Sequence, residues 1–313
     1  MNLRIRPIIA GLRSYLPLGG KALSSCGTGG TDDAAYCYSV WLRYLALAGE
    51  KGLDTDPGTV AELGPGDSLG IGLAALIAGA DTYCALDLVR HADTNRNLAV
   101  FDQLAYLFQN RMPIPDGTAF PKVRPVLADY GFPKNILHEQ RLSRALDPAR
   151  LARIRSALLA EDAAVIRYVV PWTDTLVLTR ASVDMIFSQA VLEHIDDLDG
   201  TYAAMAAWLK PGGLMAHTID FTSHGSAGNW YGHWQYSDFT WGLIRGRRAY
   251  LINREPLSTH LRLLGRHGFT ISGLAKYAQA SACRRGELAR RFQHLTDDDL
   301  TTCGAFIQAL KPG

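Results

Sequence analysis

Along most of the chain, short apolar runs alternate with segments whose apolar positions fall three or four residues apart. The runs predict strands at Thr59–Leu63, Thr82–Leu86, Ala164–Val170, Val183–Phe187 and Leu214–Ile219, with closing strands near Phe269–Tyr277 and Thr302–Leu310. The helical spacing predicts helices at about Leu69–Gly79, Leu198–Leu209 and Pro256–His267. Strand and helix in alternation imply an α/β fold on a mainly parallel sheet. Lys210-Pro211-Gly212-Gly213 reads as a helix stop and tight turn feeding the Leu214 strand.

The first sixty residues look helical, with a Gly/Thr-rich break at Cys26-Gly27-Thr28-Gly29-Gly30-Thr31. After it, Asp32 or Asp33 can cap a helix from about Ala34 to Gly49, with Tyr38, Leu42 and Leu45 along one face. The turn cluster Asp54-Thr55-Asp56-Pro57-Gly58 marks a boundary. It separates an N-terminal helical cap, residues 1–58, from a sheet domain, residues 59–313. About seventy residues part the second predicted strand from the third, where a plain doubly wound fold needs one helix. Residues 89–160 are therefore read as an insertion, a lid or substrate element, with a helix at Pro148–Leu159.

Composition narrows the function classes. Over 313 residues the chain is 48% hydrophobic and 20% charged, an ordinary globular balance that excludes intrinsic disorder. Thirty-two Lys and Arg against 30 Asp and Glu leave a formal charge of +2, no footprint for a nucleic-acid partner. Leu69 to Ala80, the longest apolar run, stops at Asp81 and falls short of the roughly 18 residues needed to span a bilayer. Arg6 and Arg13 stand too close together to hold the apolar centre of a secretory signal. The five cysteines are odd in number, scattered and never spaced C-x-x-C, so neither a disulfide framework nor a structural zinc site is expected. A cytoplasmic location with reduced thiols follows as an expectation.

The most informative segment runs Val60-Ala61-Glu62-Leu63-Gly64-Pro65-Gly66-Asp67-Ser68-Leu69-Gly70. A strand enters a Gly-rich turn and then a helix. Gly64 and Gly66 let backbone approach a ligand where a Cβ would clash, and the helix N-terminus behind them offers unpaired N–H groups. Asp87 follows about twenty residues later at the end of the second strand, where a carboxylate can accept from two ribose hydroxyls. Dinucleotides and adenosylmethionine both suit such a turn. The dinucleotide fingerprint G-x-G-x-x-G/A wants Gly or Ala at position 69, which is Leu69 here. Glu62, just before the turn, suits a site that orders the loop and meets a cationic amine.

Four elements in order resemble the class I S-adenosylmethionine-dependent methyltransferases, specifically their small-molecule type 11 branch. Glu62-Leu63-Gly64-Pro65-Gly66-Asp67-Ser68 is similar to the family's E/D-x-G-x-G-x-G loop, and Asp87 sits where its ribose-binding acid falls. Ser182-Val183-Asp184-Met185-Ile186-Phe187-Ser188-Gln189-Ala190-Val191-Leu192-Glu193-His194 resembles the fourth-strand signature, and Leu209-Lys210-Pro211-Gly212-Gly213 the turn before the fifth strand. The resemblance covers about Thr59–Leu310, with the insertion unmatched. It implies a Rossmann-like seven-stranded sheet with the last strand antiparallel. The cofactor it implies is S-adenosyl-L-methionine, leaving S-adenosyl-L-homocysteine as product, held by Glu62, Gly64, Pro65, Gly66, Ser68, Asp87, Leu88, Trp172 and Gln189. Three departures stand out. The third glycine is Ser68, whose hydroxyl is available to the methionine end. After the third strand Trp172 replaces an acid near adenine, unless Asp174 supplies it. Position 190 is alanine, so no metal set forms with Glu193 and His194, and no metal is expected.

Methyl transfer from a sulfonium needs a positioned nucleophile and, for a protic acceptor, a base. Candidates cluster after the fourth and fifth strands, whose carboxyl ends face the ligand in such sheets. His194, Asp220, His224 and His233 are the catalytic candidates, while His217 lies inside a strand and reads as structural. The aromatic stretch Trp230–Asp238 suits a small-molecule pocket or an ordinary core under a loop. From it and the following basic run, Trp230, Tyr236, Asp238 and Arg245 are the candidate acceptor-binding residues. Arg245, Arg247 and Arg248 form a solvated face or a clamp for a phosphate or carboxylate. Arg284, Arg285, Arg290 and Arg291 have no interleaved aromatics and give RNA binding little support.

The leading expectation is a small-molecule methyltransferase, O-methylating through a histidine base, without nucleic-acid or membrane-spanning partners and with a homo-oligomer left open. Other readings are an N-, C- or S-methyltransferase, a nicotinamide-dependent Rossmann oxidoreductase, and a non-catalytic relative that keeps the fold.

Overall fold

The structure is a computed structural model and describes residues 5–16, 29–172, 174–248 and 250–313. Cys26, Gly27 and Thr28 of the Gly/Thr-rich break, and Thr173 beside Trp172, lie outside the described residues. In chain order the elements are α1 (Ile5–Arg13), α2 (Ala34–Glu50), β1 (Thr59–Leu63), α3 (Gly70–Ile77), β2 (Thr82–Leu86) and α4 (Thr94–Gln109). Then come α5 (Glu139–Ala145), α6 (Pro148–Ala160), β3 (Ile166–Val169), β4 (Val183–Gln189), α7 (Leu198–Trp208) and β5 (Leu209–Asp220). The chain closes with α8 (Asp238–Arg245), α9 (Leu257–Arg266), β6 (Thr270–Ala278), α10 (Asp297–Thr301) and β7 (Thr302–Leu310).

The strands form a seven-stranded sheet in the order β3-β2-β1-β4-β5-β7-β6. β1 to β5 pair in parallel, and β7 runs antiparallel between β5 and β6. This is the sheet the class I resemblance implies. The order reverses between β1 and β4, so the crevice at their carboxyl ends is the natural ligand position.

Successive residues of a strand face opposite sides, and both sides are covered. Val60, Tyr83, Ala85, Phe187 and Ala216 point into a core with α2, α3, α4 and part of the insertion. Ala61, Cys84, Leu86, Ile186 and Met215 point into a second core with α7 and α9. Asp33 caps α2 by accepting the Ala35 N–H at 2.7 Å, and Trp41 and Tyr44 lay their rings against Phe187. α2 therefore packs directly on the sheet.

Two elements differ from expectation. The Lys210–Gly213 run lies within β5, which begins pairing at Leu209 opposite Val183 and shifts register before Leu214 meets Met185. The Gly-rich run is a bulge in a strand that the sheet holds on both sides. Between β2 and β3, the helix α4 supplies the ordinary crossover; Asp93 caps it, and Asn97, Val100, Phe101, Leu104 and Phe108 form its buried stripe. The irregular part of the insertion is the stretch from Asn110 to His138, which packs on α2. Arg43 holds it by donating to the carbonyls of Pro115, Val123 and Pro125 at 2.8–2.9 Å. Among the described residues no helix is long and apolar enough to cross a membrane, and Cys37, Cys84, Cys283 and Cys303 are free thiols.

Candidate functional site

The β1–α3 turn has the backbone of a ligand cradle. Gly64 and Gly66 have φ of +62° and +76°, a region that disfavours side chains. A Cβ on Gly64 would also fall 2.6 Å from Val191 Cγ2, so this turn packs against the loop after β4. Glu62 is fully buried and accepts from the Tyr83 hydroxyl. Burial pushes its acid up to about 8, against the opposing pull of Tyr83 and the Gly72 N–H. Glu62 thus braces the first turn of α3 from beneath. Ser68 is buried as well, donating to the Thr31 carbonyl and accepting the Gly70 N–H at 3.0 Å. Its hydroxyl ties the turn to the segment before α2, a use distinct from the cofactor contact anticipated for it. Pro65 lies between the two glycines in the same turn.

Asp87 ends β2, nearly buried, with Oδ1 accepting the Leu88 N–H at 2.7 Å. Burial raises its acid, while the N–H groups of Leu88, Val89 and Gly66 pull the other way. The Gly66 N–H brings the turn and the candidate ribose acid together. Leu88 and Val89 leave their side chains exposed beside it, apolar surface next to the crevice. The Trp172 N–H donates to the Asp87 carbonyl at 2.9 Å, and the half-buried Trp172 ring meets Trp208 edge-on at 5.7 Å. Asp174 instead caps the next turn through the Leu176 N–H. Gln189, at the end of β4, receives the Tyr44 hydroxyl at 2.6 Å, and that hydroxyl also reaches the Ser188 carbonyl and Thr218. α2 thereby sets the rim of the switch point.

The four candidate catalytic side chains gather beyond β4 and β5. His194 and His224 rings are 5.1 Å apart, and His224 Nε2 lies 3.1 Å from Asp220 Oδ2. Burial alone would raise the Asp220 acid, but hydrogen bonds from His224 and Thr222 outweigh it and hold it below the ordinary carboxylate range. Burial and the neighbouring His224 push the His194 imidazole down to about 4, so it is neutral at pH 7. His233 is driven to about 3 by burial and the Arg254 charge, with His224 and Asp220 also in its field. His217 and His260 fall to about 3 in the core, the first sharing a 2.8 Å hydrogen bond with Ser188. Among the described residues, no group of three or more His, Cys, Asp or Glu is arranged to hold a metal ion.

The candidate acceptor-binding residues are distributed otherwise. Trp230 is buried against Trp234 and Phe292 and donates to the Ala280 carbonyl, and Tyr236 is buried in a small core with Trp241 and Ile244. Asp238 pairs with the buried Arg254 at 2.6 Å, and Arg245 grips both oxygens of Asp196 at 2.8 and 2.6 Å. These four side chains are engaged in holding the 230–254 segment.

Sequence reasoning passed over two residues that shape the site, Asn253 and Tyr250, and weighed a third, Glu193, only beside His194. Asn253 clamps the 192–195 turn through the carbonyls of Leu192 and Ile195, and its own N–H meets the Glu193 carbonyl at 2.6 Å. Glu193 is buried with neither carboxyl oxygen at hydrogen-bond distance of a partner, and burial pushes its acid well up. Tyr250 has its hydroxyl raised by burial and by Asp87, packs its ring 6.0 Å from His91, and presents its backbone to His194. Its backbone faces the histidine cluster, and its hydroxyl lies within the field of the Asp87 carboxylate. An isolated tyrosine beside an arginine run carries no pattern that could have marked it.

A family model described as a methyltransferase domain matches residues 34–272. No curated protein is a significant match. Among solved structures, an S-adenosylmethionine-dependent methyltransferase from Mesorhizobium loti is similar at 17% identity and a TM-score of 0.44, over 90% of this chain and 100% of its own. Phosphoethanolamine N-methyltransferase 2 from Haemonchus contortus, solved with S-adenosyl-L-methionine, is similar at 18% identity and 0.44, over 89% of this chain and 56% of its own. The matched segment runs from α2 into β6 and takes in the Gly-rich turn, Asp87 and the histidine cluster, so the chain belongs to the methyltransferase-domain family and is a transferase.

Proposed function

We propose that this protein transfers the methyl group of S-adenosyl-L-methionine to a hydroxyl of a small-molecule acceptor, with His224 as general base and Asp220 holding it. The carrying observation is the pair His224 Nε2···Asp220 Oδ2 at 3.1 Å beyond β5. The carboxylate accepts a hydrogen bond from Nε2–H and so leaves Nδ1 with the free lone pair, the form a general base needs. A hydroxyl needs its proton removed as it attacks, whereas a free amine already has its lone pair, so an Asp-held imidazole favours oxygen.

The donor's cofactor site rests on residues that fit it. The positive-φ glycines leave two positions of the turn bare of side chains, and Asp87 keeps an acceptor carboxylate at the crevice end of β2. Leu88 and Trp172 flank it with apolar and aromatic surface, and Gln189 stands at the rim. Bound there, the sulfonium supplies an activated methyl group. The chain's own part is to orient donor and acceptor, exclude water and take one proton at His224 Nδ1. Tyr250, whose hydroxyl lies in the field of Asp87 and whose backbone faces His194, supports a shared crevice for donor and acceptor.

Calorimetric titration of S-adenosyl-L-methionine and S-adenosyl-L-homocysteine, with Asp87→Ala as control, tests the donor. A screen of hydroxylated against amine acceptors then tests the base. Turnover of amines alone, unaffected by His224→Gln, would replace the oxygen reading with nitrogen methylation.

A further inference from the structure

A cleft of about 290 Å³ opens beside the histidine cluster, between α1, the 224–226 turn and the 248–251 segment. Arg6, Arg248 and His224 line it, with Pro7 and Leu251 adding apolar surface. α1 is fixed in place by close backbone contact. A Cβ on Gly11 would run into the carbonyls of Leu243 and Ile244, and one on Gly246 into the Gly11 carbonyl. The Arg247 N–H donates to Ser14 Oγ at 2.7 Å. This docking gives Arg6 a defined position at the cleft.

The arginines of this region sort into two kinds. Arg245 is neutralised by Asp196 and Arg254 by Asp238, and Arg247 lies over the Tyr15 ring. Arg6 and Arg248 have no carboxylate partner among the described residues. Arg248 donates to the carbonyls of Ile244 and Arg245, contacts that aim the guanidinium without cancelling its charge. The acid next to the cleft, Asp220, is already engaged by His224 and the Thr222 N–H. Two uncompensated guanidiniums in one concavity repel each other, and an anion between them relieves that repulsion.

Resting on the methyltransferase reading above, we propose that Arg6 and Arg248 bind a carboxylate or phosphate of the acceptor, so that the enzyme methylates acidic small molecules. His224 lines the same cleft with its ring tilted against that of His194, so an acceptor anchored at the arginines carries its nucleophile to the base. The N-terminal helix α1 is then a specificity element.

Benzoate, inorganic phosphate and uncharged benzamide serve as probes, titrated into the full chain with and without S-adenosyl-L-homocysteine. At least one anion binds at millimolar concentration, benzamide does not, and Arg6→Gln and Arg248→Gln each weaken the anion about tenfold, a change of ~1.4 kcal/mol. Preference for benzoate assigns a carboxylate, and preference for phosphate a phosphate. Retained circular dichroism and thermal midpoint show that each variant is folded. Absence of binding by both anions, or affinity unchanged in both folded variants, overturns the proposal. Failure of S-adenosyl-L-homocysteine to bind the wild type counts against the donor reading alone, because the anion titrations are read separately.

Discussion

The ring of Tyr83 lies so close to Gly72 that a Cβ on the glycine would fall within it, and from that position the Tyr83 hydroxyl reaches Glu62. The contact joins β2, the first turns of α3 and the end of β1 beneath the Gly-rich turn. Gly72→Ala must push a rigid ring aside in a full core. It is expected to cost about 1–3 kcal/mol of stability and to weaken S-adenosyl-L-homocysteine. Urea denaturation beside calorimetric titration measures both; a variant as stable as the wild type would show the ring is not confined.

Stability should peak near pH 6.5. Burial lowers His194 to about 4 and His217, His233 and His260 to about 3 in the folded chain, against 6.5 unfolded. Such groups contribute stability above 6.5 that is lost as pH falls through their folded values, because the unfolded chain binds the protons. Glu62 has the opposite sign: raised from 4.5 to about 8, its contribution is full below 4.5 and is lost as pH rises to about 8. Glu193 shifts in the same direction. Below 6.5 four histidines outnumber the carboxyls raised by burial, Glu62, Glu193 and Asp87, and above 6.5 the carboxyls dominate. Denaturation midpoints measured from pH 5 to 8.5 check this, and Glu62→Gln should flatten the alkaline limb. A midpoint climbing steadily to pH 8.5 would contradict it.

Asp87→Ala removes the carboxylate at the end of β2 but leaves the N–H groups that frame it. Loss of two charge-assisted hydrogen bonds is expected to weaken the donor and its product at least about a hundredfold. Gly64→Ala should do similar damage by another route, since a side chain at φ +62° meets Val191. Equal affinity for S-adenosyl-L-homocysteine in wild type and Asp87→Ala would remove Asp87 from the site.

His224→Gln and Asp220→Asn are expected to lower kcat by about 10²–10⁴ while leaving S-adenosyl-L-homocysteine affinity within twofold. His233→Gln, far less accessible in its buried position, should affect stability more than turnover. Single-turnover rates with a hydroxylated acceptor distinguish the two, and normal kcat in His224→Gln would transfer the base to His194.

Much of the fold was legible in the chain because the parallel strands are buried on both faces and read as unbroken apolar runs. Thr59–Leu63 and Thr82–Leu86 fall where those runs lie, and the antiparallel β7, Thr302–Leu310, is buried enough to read the same way. The Gly-rich turn and Asp87 were visible because backbone approach and an acid at a strand end need particular residue types. What could not be read was decided by tertiary contact. Ser68 looks like a ligand contact until Thr31, distant in sequence, takes its hydroxyl. Trp230 and Tyr236 look like pocket walls until the C-terminal segment and α8 pack over them. Arg6 and Arg248 are singled out by lining one cleft without a carboxylate partner there, a property no local pattern records.

Arg43 holds the irregular 110–138 stretch by its main-chain carbonyls, and every residue type has a carbonyl. The anchor is therefore indifferent to which side chains the stretch carries. Exposed residues between Pro115 and Pro125 can be exchanged without loosening that grip, whereas Phe120 against the Tyr36 ring and buried Val123 hold by their side chains. The stretch is a cassette on a fixed mount, open to exchange at its exposed positions while the sheet beneath it stays unchanged.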